Sequence, residues 1–411
     1  MVPRVSVTDF QAEKQVVCVY DKDQSGDHMQ ALSRTAQAMP ESGIRRITNA
    51  AIGQPDCIRL EMGEPQFATP AHICEAAAQA ARDGFTKYTA SQGLLSLREA
   101  MSAKLARVNG LTVPPERIVA TNGALSGLFT TCLALLEPGD EMLIPDPGWP
   151  NWEMMILTAG GRVVRYPTPR DNAFLPLPET LDALVTPRTR AILINSPSNP
   201  TGAVMPAALV ERMVAFARAH DLWVVSDECY DECVFDGAHV SPARFDTDGR
   251  VISLFSCSKT YAMTGWRVGY AAVPESAIGV LAKLQQPVLG NICSIAQKAA
   301  EAAFNGPQDC VAEMRDFYRA RREQAMTMLA QAGMAVDRPG GAFYVMVDVS
   351  AAATDTTAFA LELLHRHGVA VAPGDTFGPG GRGLVRVALC ASEAAIATGL
   401  GKLIEVIGAA R

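Results

Sequence analysis

From Thr69-Pro70 onward, short apolar runs closed by turn residues alternate with longer segments whose apolar positions recur at helical spacing. The spacing predicts helices over 71–84 (AHICEAAAQAARDG) and 94–110 (LLSLREAMSAKLARVNG), each ending near a glycine. Strands are predicted at RIVA, AILI, LWVV and VISLF. Such alternation signals βαβ units and a mainly parallel sheet. A charged helical segment over 307–333 then leads into GGAFYVMVDV and a last strand, GLVRVALC. That change of texture predicts a second, smaller α/β unit built from the C-terminal hundred or so residues. Residues 1–30 are polar and without period, and are read as a loose arm with no assigned chemistry.

Composition narrows the setting. A chain of 411 residues, 48% hydrophobic, can bury a large core. Its net charge of -7 argues against nucleic acid or an anionic membrane as partner, because binding phosphate needs a basic surface. No apolar stretch is long enough to span a bilayer and the N-terminus lacks a signal-peptide block, so a cytoplasmic location is expected. The ten cysteines are scattered singly and read as reduced thiols. Cys229 and Cys233 stand one helical turn apart and His365 and His367 flank one arginine, but neither pair has a second half at zinc spacing. No metal site is expected.

The four predicted strands share one feature: each ends in residues that make poor core. RIVA runs into Thr121-Asn122-Gly123-Ala124, AILI into Asn195-Ser196-Pro197-Ser198-Asn199-Pro200-Thr201-Gly202, LWVV into Ser226-Asp227-Glu228-Cys229-Tyr230, and VISLF into Ser256-Cys257-Ser258-Lys259. In open α/β sheets ligands bind just beyond the carboxyl ends of strands. Gly123 and Ala124, opening an apolar helix, leave backbone N–H groups free for an anion. Ser256, Ser258 and Arg267 add hydroxyls and a guanidinium suited to phosphate. A strand-end lysine ordinarily points into solvent, but Lys259 beside Arg267 is pushed towards the neutral, nucleophilic amine. Asp227 is placed either to cap a helix over DECYDECVF or, if buried, to keep a pyridine nitrogen protonated. An amine, such an aspartate and a phosphate cup are what proteins contribute to pyridoxal phosphate chemistry.

The motifs Asn199-Pro200-Thr201-Gly202, Ser226-Asp227-Glu228-Cys229-Tyr230, Ser256-Cys257-Ser258-Lys259 and Gly265-Trp266-Arg267-Val268-Gly269-Tyr270, in this order, resemble the fold-type I pyridoxal-phosphate aminotransferases of class I/II, from about residue 35 to the C-terminus. The resemblance implies an α/β fold. A large domain over 64–306 would carry a mainly parallel seven-stranded sheet, 31–63 and 307–411 would form a smaller α/β domain, and 1–30 would be an arm. It also implies a ping-pong transaminase that carries pyridoxal 5′-phosphate as a Lys259 aldimine. Lys259 would shuttle the proton, Asp227 would pair with the ring nitrogen, and Tyr230 and Asn199 would bond the ring hydroxyl. Trp149 would stack on the ring, and Gly123, Ala124, Leu125, Ser256, Ser258 and Arg267 would form the phosphate site. Tyr88 would reach the phosphate of a neighbouring subunit, making a homodimer with shared active sites. Arg386 would fix the substrate α-carboxylate, with Gly63, Trp149 and Asn199 also contacting substrate.

Dicarboxylate specialists of this family add a second cation, from the partner or just after the phosphate-loop glycine. Here Leu125 follows Gly123-Ala124, and 285–297 (QQPVLGNICSIAQ) holds no arginine or lysine. A distal carboxylate would lose a charge-assisted contact worth about 1.5–3 kcal/mol. Neutral aliphatic or aromatic amino acids are therefore expected over aspartate. The same scaffold also serves C–S β-lyases, which would release pyruvate and ammonia without a keto acid. A ligand-sensing regulatory domain is disfavoured, since some thirty irregular residues leave no room for a helix-turn-helix.

Overall fold

The computed structural model describes residues 31–410, so the arm expected over 1–30 lies outside the described residues. The chain divides into one unit that ends at Ala38, in which Arg34–Gln37 forms a single helical turn, and a body, Met39–Arg411.

The body holds eleven strands: β1 (Ile58–Leu60), β2 (Ile118–Thr121), β3 (Glu141–Asp146), β4 (Arg162–Pro167), β5 (Thr189–Asn195), β6 (Trp223–Asp227), β7 (Val251–Ser256), β8 (Gly269–Ala272), β9 (Tyr344–Asp348), β10 (Val369–Pro373) and β11 (Leu384–Ala388). Seven form one sheet in the order β2-β8-β7-β6-β5-β3-β4. Only β8 runs against its neighbours. Its central strands are apolar on both faces, as a sheet covered by helices on either side requires. Leu193, Val225, Ile252 and Leu254 pack with Leu128 and Trp152. Ile192, Ile194 and Val224 pack on the opposite side with Leu209, Met213 and Phe216. The remaining strands form a four-stranded sheet, β1-β10-β11-β9. Val345, Val347, Val371 and Val387 of this sheet share a core with Ile47, Phe359 and Leu400 from the helices Gly43–Ile52, Thr356–His367 and Glu393–Ala409.

Local signals explain most boundaries. Ser42 caps the helix Gly43–Ile52 by accepting from Arg45 N, and Asp355 caps Thr356–His367 by accepting from Thr357 N and Ala358 N at 2.9 Å. Gly368, at φ 66°, ends the latter helix in the left-handed conformation. The helix expected over 71–84 spans Ala71–Arg82, and the one expected over 307–333 spans Asp309–Gln331. The one expected over 94–110 runs Leu95–Lys104 and finishes in a wide turn, Leu105–Asn109.

DECYDECVF corrects the helical reading. Asp227 Oδ1 does accept from Cys229 N at 3.3 Å, as a cap would, but turns follow in place of a helix. Distant partners claim this stretch: Asp231 pairs with Lys104, the Cys233 carbonyl accepts from Ala342 N at 2.8 Å, and Val234 bridges Gly341. Cys229 and Cys233 are thus not on one helix face.

Candidate active site

Register brings the four strand ends into one row. Asn195 stands opposite Asp227 and Asp227 opposite Leu254 in the parallel ladder, while Gly269 of β8 pairs with both Thr121 and Ser256. Along this edge opens a cavity of about 650 Å³. Lys259, Asp227, Tyr230, Asn199 and Arg386 all face it. So do Gly63, Leu125, Trp149 and Arg267.

One end is built for an anion. Gly123 starts the helix Gly123–Leu135 with φ 70°, and a Cβ there would lie 2.5 Å from Arg267 Nη2. Only glycine lets the helix N-terminus and the guanidinium come this close. Arg267 Nη1 donates to the Thr264 carbonyl at 2.9 Å and Nη2 to the Asn122 carbonyl at 3.4 Å, and no described carboxylate neutralises it. A Cβ on Gly269 would lie 2.6 Å from both the Ala124 nitrogen and the Phe255 carbonyl oxygen, so β7, β8 and the helix start meet here. Ser256 Oγ accepts from Ser258 N at 3.1 Å. Gly123 thus meets Arg267, and Gly269 lies between the Ala124 nitrogen and its ladder partner Ser256, but Gly123, Ala124, Ser256 and Ser258 are not among the residues facing the cavity. Leu125, 40% exposed, does face it. Tyr88 stands apart at 97% exposed.

In the middle lie the amine and the carboxylate. Lys259, on the short helix Cys257–Thr260 that follows β7, donates from Nζ to the Gly63 carbonyl. Burial pushes its pKa down. The like charge that assists is Arg386, in place of the Arg267 expected from sequence, while Cys390, Cys229 and Glu64 oppose the shift. Asp227 accepts from Trp152 Nε1 at 3.1 Å and from Cys229 N, and its carbonyl accepts from Asn195 Nδ2 at 2.9 Å. Burial raises its pKa, the two hydrogen bonds only partly offset this, and it has no cation partner among the described residues. Trp149 lies at the start of the helix Pro150–Thr158, edge-on to Trp152 with ring centroids 6.1 Å apart.

At the other end, Arg386 Nη1 donates to Asn199 Oδ1 at 2.7 Å and Nη2 to the Glu61 carbonyl at 2.5 Å. Its guanidinium lies 4.2 Å above the ring of Tyr344, and its buried Nε has no partner among the described residues. Asn199 is fixed in turn by its N–H, which donates to Asn195 Oδ1 at 2.8 Å. Tyr230 and Tyr344 share a hydroxyl–hydroxyl bond of 2.7 Å. A Cβ on Gly63 would overlap the Tyr344 hydroxyl.

Sequence reasoning placed Asn195 at a converging strand end without giving it a role, and missed Trp152, Tyr344 and the stretch containing Glu41, Arg45 and Thr48, which also lines the cavity. Trp152 was visible as the second tryptophan of GWPNW, one helical turn after Trp149. Tyr344 looks like an ordinary strand aromatic, and only the pairing of β9 with β11 sets it beside Arg386.

The residues present fit pyridoxal 5′-phosphate. Among the described residues the cavity offers a buried carboxylate lacking a cation partner, an arginine held only by carbonyls at a helix N-terminus, and a desolvated amine. No cluster of metal-ligating side chains occurs among the described residues.

Comparison with known proteins agrees with this chemistry. The sequence profile of the family "Aminotransferase class I and II" matches residues 55–403. An aspartate/prephenate aminotransferase of Thermus thermophilus is 38% identical over 389 residues, covering 93% of this chain and 100% of that protein. An arginine–pyruvate transaminase of Pseudomonas aeruginosa is 37% identical over 365 residues, 88% of this chain and 93% of that protein. The solved structure of Thermus thermophilus aspartate aminotransferase with maleate superposes with a TM-score of 0.88 at 38% identity, over 92% of this chain and 100% of that one.

Proposed function

Because the chain belongs to the class I and II aminotransferases and is a pyridoxal-phosphate-dependent transaminase acting on an amino acid and a 2-oxo acid, we propose that its chemistry is divided among Lys259, Asp227, Tyr230 and Arg386. The cofactor supplies an electron-accepting ring that makes the substrate α-proton removable. Lys259 anchors it covalently and, once displaced, carries the α-proton. Asp227 holds a proton on the ring nitrogen, Tyr230 and Asn199 bond the ring hydroxyl, and Trp149 stacks on the ring. Gly123, Ala124, Leu125, Ser256, Ser258 and Arg267 hold the phosphate. Arg386 orients the substrate α-carboxylate, with Gly63 beside it. The observation that carries this reading is that Lys259, Asp227 and Arg386 line one cavity and Asp227 has no cation paired with it among the described residues.

Tyr88, so exposed in the single chain, completes the phosphate site of a second copy, and the working form is a homodimer in the cytoplasm. No described helix is long and apolar enough to cross a membrane.

For the donor, Leu125 supports neutral amino acids. A second reading has support of its own. Neither Leu125 nor 285–297 supplies a cation, but Arg45 lines the same cavity, and its guanidinium is suited to pair with a distal carboxylate.

The test is visible absorbance with a panel of amino acids. The yellow band should bleach with the true donor, return with a 2-oxo acid, and be lost as a covalent band in Lys259→Ala. A protein that stays colourless with added cofactor would overturn the assignment. Arg45→Ala should leave kcat/KM for neutral donors unchanged, and a drop confined to aspartate would establish the second reading.

A further inference from the structure

The hydroxyl of Tyr344 has one acceptor among the described residues, Tyr230 Oη at 2.7 Å. Tyr230 Oη has no other partner there either. A phenol donates a single hydrogen and accepts through its lone pairs. If Tyr230 gives its hydrogen to a ligand in the cavity, the bond between the two phenols can be filled only by Tyr344 as donor. Burial keeps both phenols protonated at neutral pH, with Tyr344 pushed up to about 12 and Tyr230 raised well above its usual value.

Tyr344 is also held in place. Its ring lies beneath the Arg386 guanidinium, its centroid is 5.8 Å from that of Tyr230 at 80°, and its hydroxyl sits against Gly63 where no side chain fits. The register explains the reach: Arg386 pairs with Met346 and Ala388 with Tyr344, so Tyr344 and Arg386 are diagonal neighbours on one face of the small sheet.

We infer that Tyr344 is a positioning residue, whose hydroxyl donates to Tyr230 and thereby aims the Tyr230 O–H at the ring hydroxyl oxygen of the cofactor. This rests on the reading that Tyr230 contacts that oxygen. A donor that itself accepts a hydrogen bond is strengthened, and a fixed rotor is already aligned. The other ionisable groups around the two phenols are Arg386, Cys390 and Cys233 near Tyr344, and Cys229 near Tyr230. Burial also raises the three thiols, which stay neutral, so Arg386 is the charge that acts on both phenols, while Lys259, Asp227 and Arg267 share the cavity with them.

The readout is the pH midpoint of the visible band of the cofactor-loaded protein. A hydrogen bond to an ionised ring oxygen favours that form, so losing it moves the midpoint up. Tyr344→Phe keeps the ring and its stacking and should raise the midpoint by on the order of half a pH unit. Tyr230→Phe should raise it further, and the double variant should match Tyr230→Phe alone. An unmoved midpoint in Tyr344→Phe beside a clear shift in Tyr230→Phe would sink this inference and leave the Tyr230 reading intact. No shift in Tyr230→Phe would remove both. Additive shifts would mean that Tyr344 acts on its own account, against the role inferred. A residue that merely packs would change the thermal midpoint without moving the band.

Discussion

Trp152 donates its indole N–H to Asp227 Oδ2 at 3.1 Å, and both side chains are buried. The bond places a side-chain donor to this carboxylate on the helix that also presents Trp149 to the cavity. Trp152→Phe leaves most of the apolar volume and removes the donor. A hydrogen bond to a charged group contributes about 1.5–3 kcal/mol, so cofactor affinity should fall by roughly one to two orders of magnitude while the protein stays yellow at saturating cofactor. Cofactor titration by absorbance checks this. Asp227→Ala, by contrast, should abolish turnover with little change in thermal midpoint.

Gly63 is set by sterics from the small sheet. Its carbonyl accepts from Lys259, and its missing side chain leaves the space that the Tyr344 hydroxyl fills. Gly63→Ala therefore has to displace Tyr344 or the backbone, at about 1–3 kcal/mol of strain. The expected outcome is a raised KM for every amino donor together with a modest loss of stability, read by steady-state kinetics and thermal unfolding. A variant with unchanged KM would show that this close approach does not matter to substrate.

Lys104 and Asp231 form a fully buried ion pair under the loop that carries Tyr230, with Asn109 Nδ2 also donating to Asp231 at 3.0 Å. Burial alone would lower Lys104, but the carboxylates of Asp231 and Glu232 outweigh it and raise its pKa. Burial alone would raise Asp231, but Lys104 and His239 outweigh it and lower its pKa. The stability from Asp231 is present above its unfolded pKa and lost as pH falls through the lower folded one; that from Lys104 is present below its unfolded pKa and lost as pH rises through the higher folded one. The pair therefore acts across the whole neutral range. Lys104→Met strands the carboxylate and should cost about 3–5 kcal/mol, while Lys104→Met with Asp231→Leu should recover much of it, as denaturant titrations would show.

Much of this was legible because it depends on local chemistry. Strands ending in Asn195, Asp227 and Ser256 reveal themselves by polar residues at the end of apolar runs, and their parallel register then aligns them. The closeness of Gly123 and Arg267 was foreshadowed by residue type alone, a helix-opening glycine and a guanidinium both suited to an anion. What escaped depends on pairs far apart in sequence. Arg386 meets the Glu61 carbonyl across 325 positions, and Tyr344 meets Tyr230 across 114. The turn after Asp227 was misread for the same reason, since Lys104 and Ala342 decide its path and neither is near it in the chain.

The last prediction concerns Lys259 without cofactor. Burial lowers its pKa, with Arg386 adding like-charge repulsion. Below the unfolded lysine pKa of about 10.4 the unfolded chain binds more protons at this position than the folded one, so this residue makes stability rise with pH between the folded and unfolded values. At neutral pH it opposes folding. Lys259→Met, of similar length and without a titrating group, should raise the thermal midpoint of the cofactor-free protein at pH about 7, with the gain shrinking as pH approaches the unfolded lysine value. Adding cofactor should reverse the order, because only the native lysine can bond to it and binding to the folded state alone stabilises that state. Differential scanning of both proteins, with and without cofactor at two pH values, reads all of this, and a cofactor-free Lys259→Met less stable than the parent at neutral pH would show that the amine is well solvated or paired in solution.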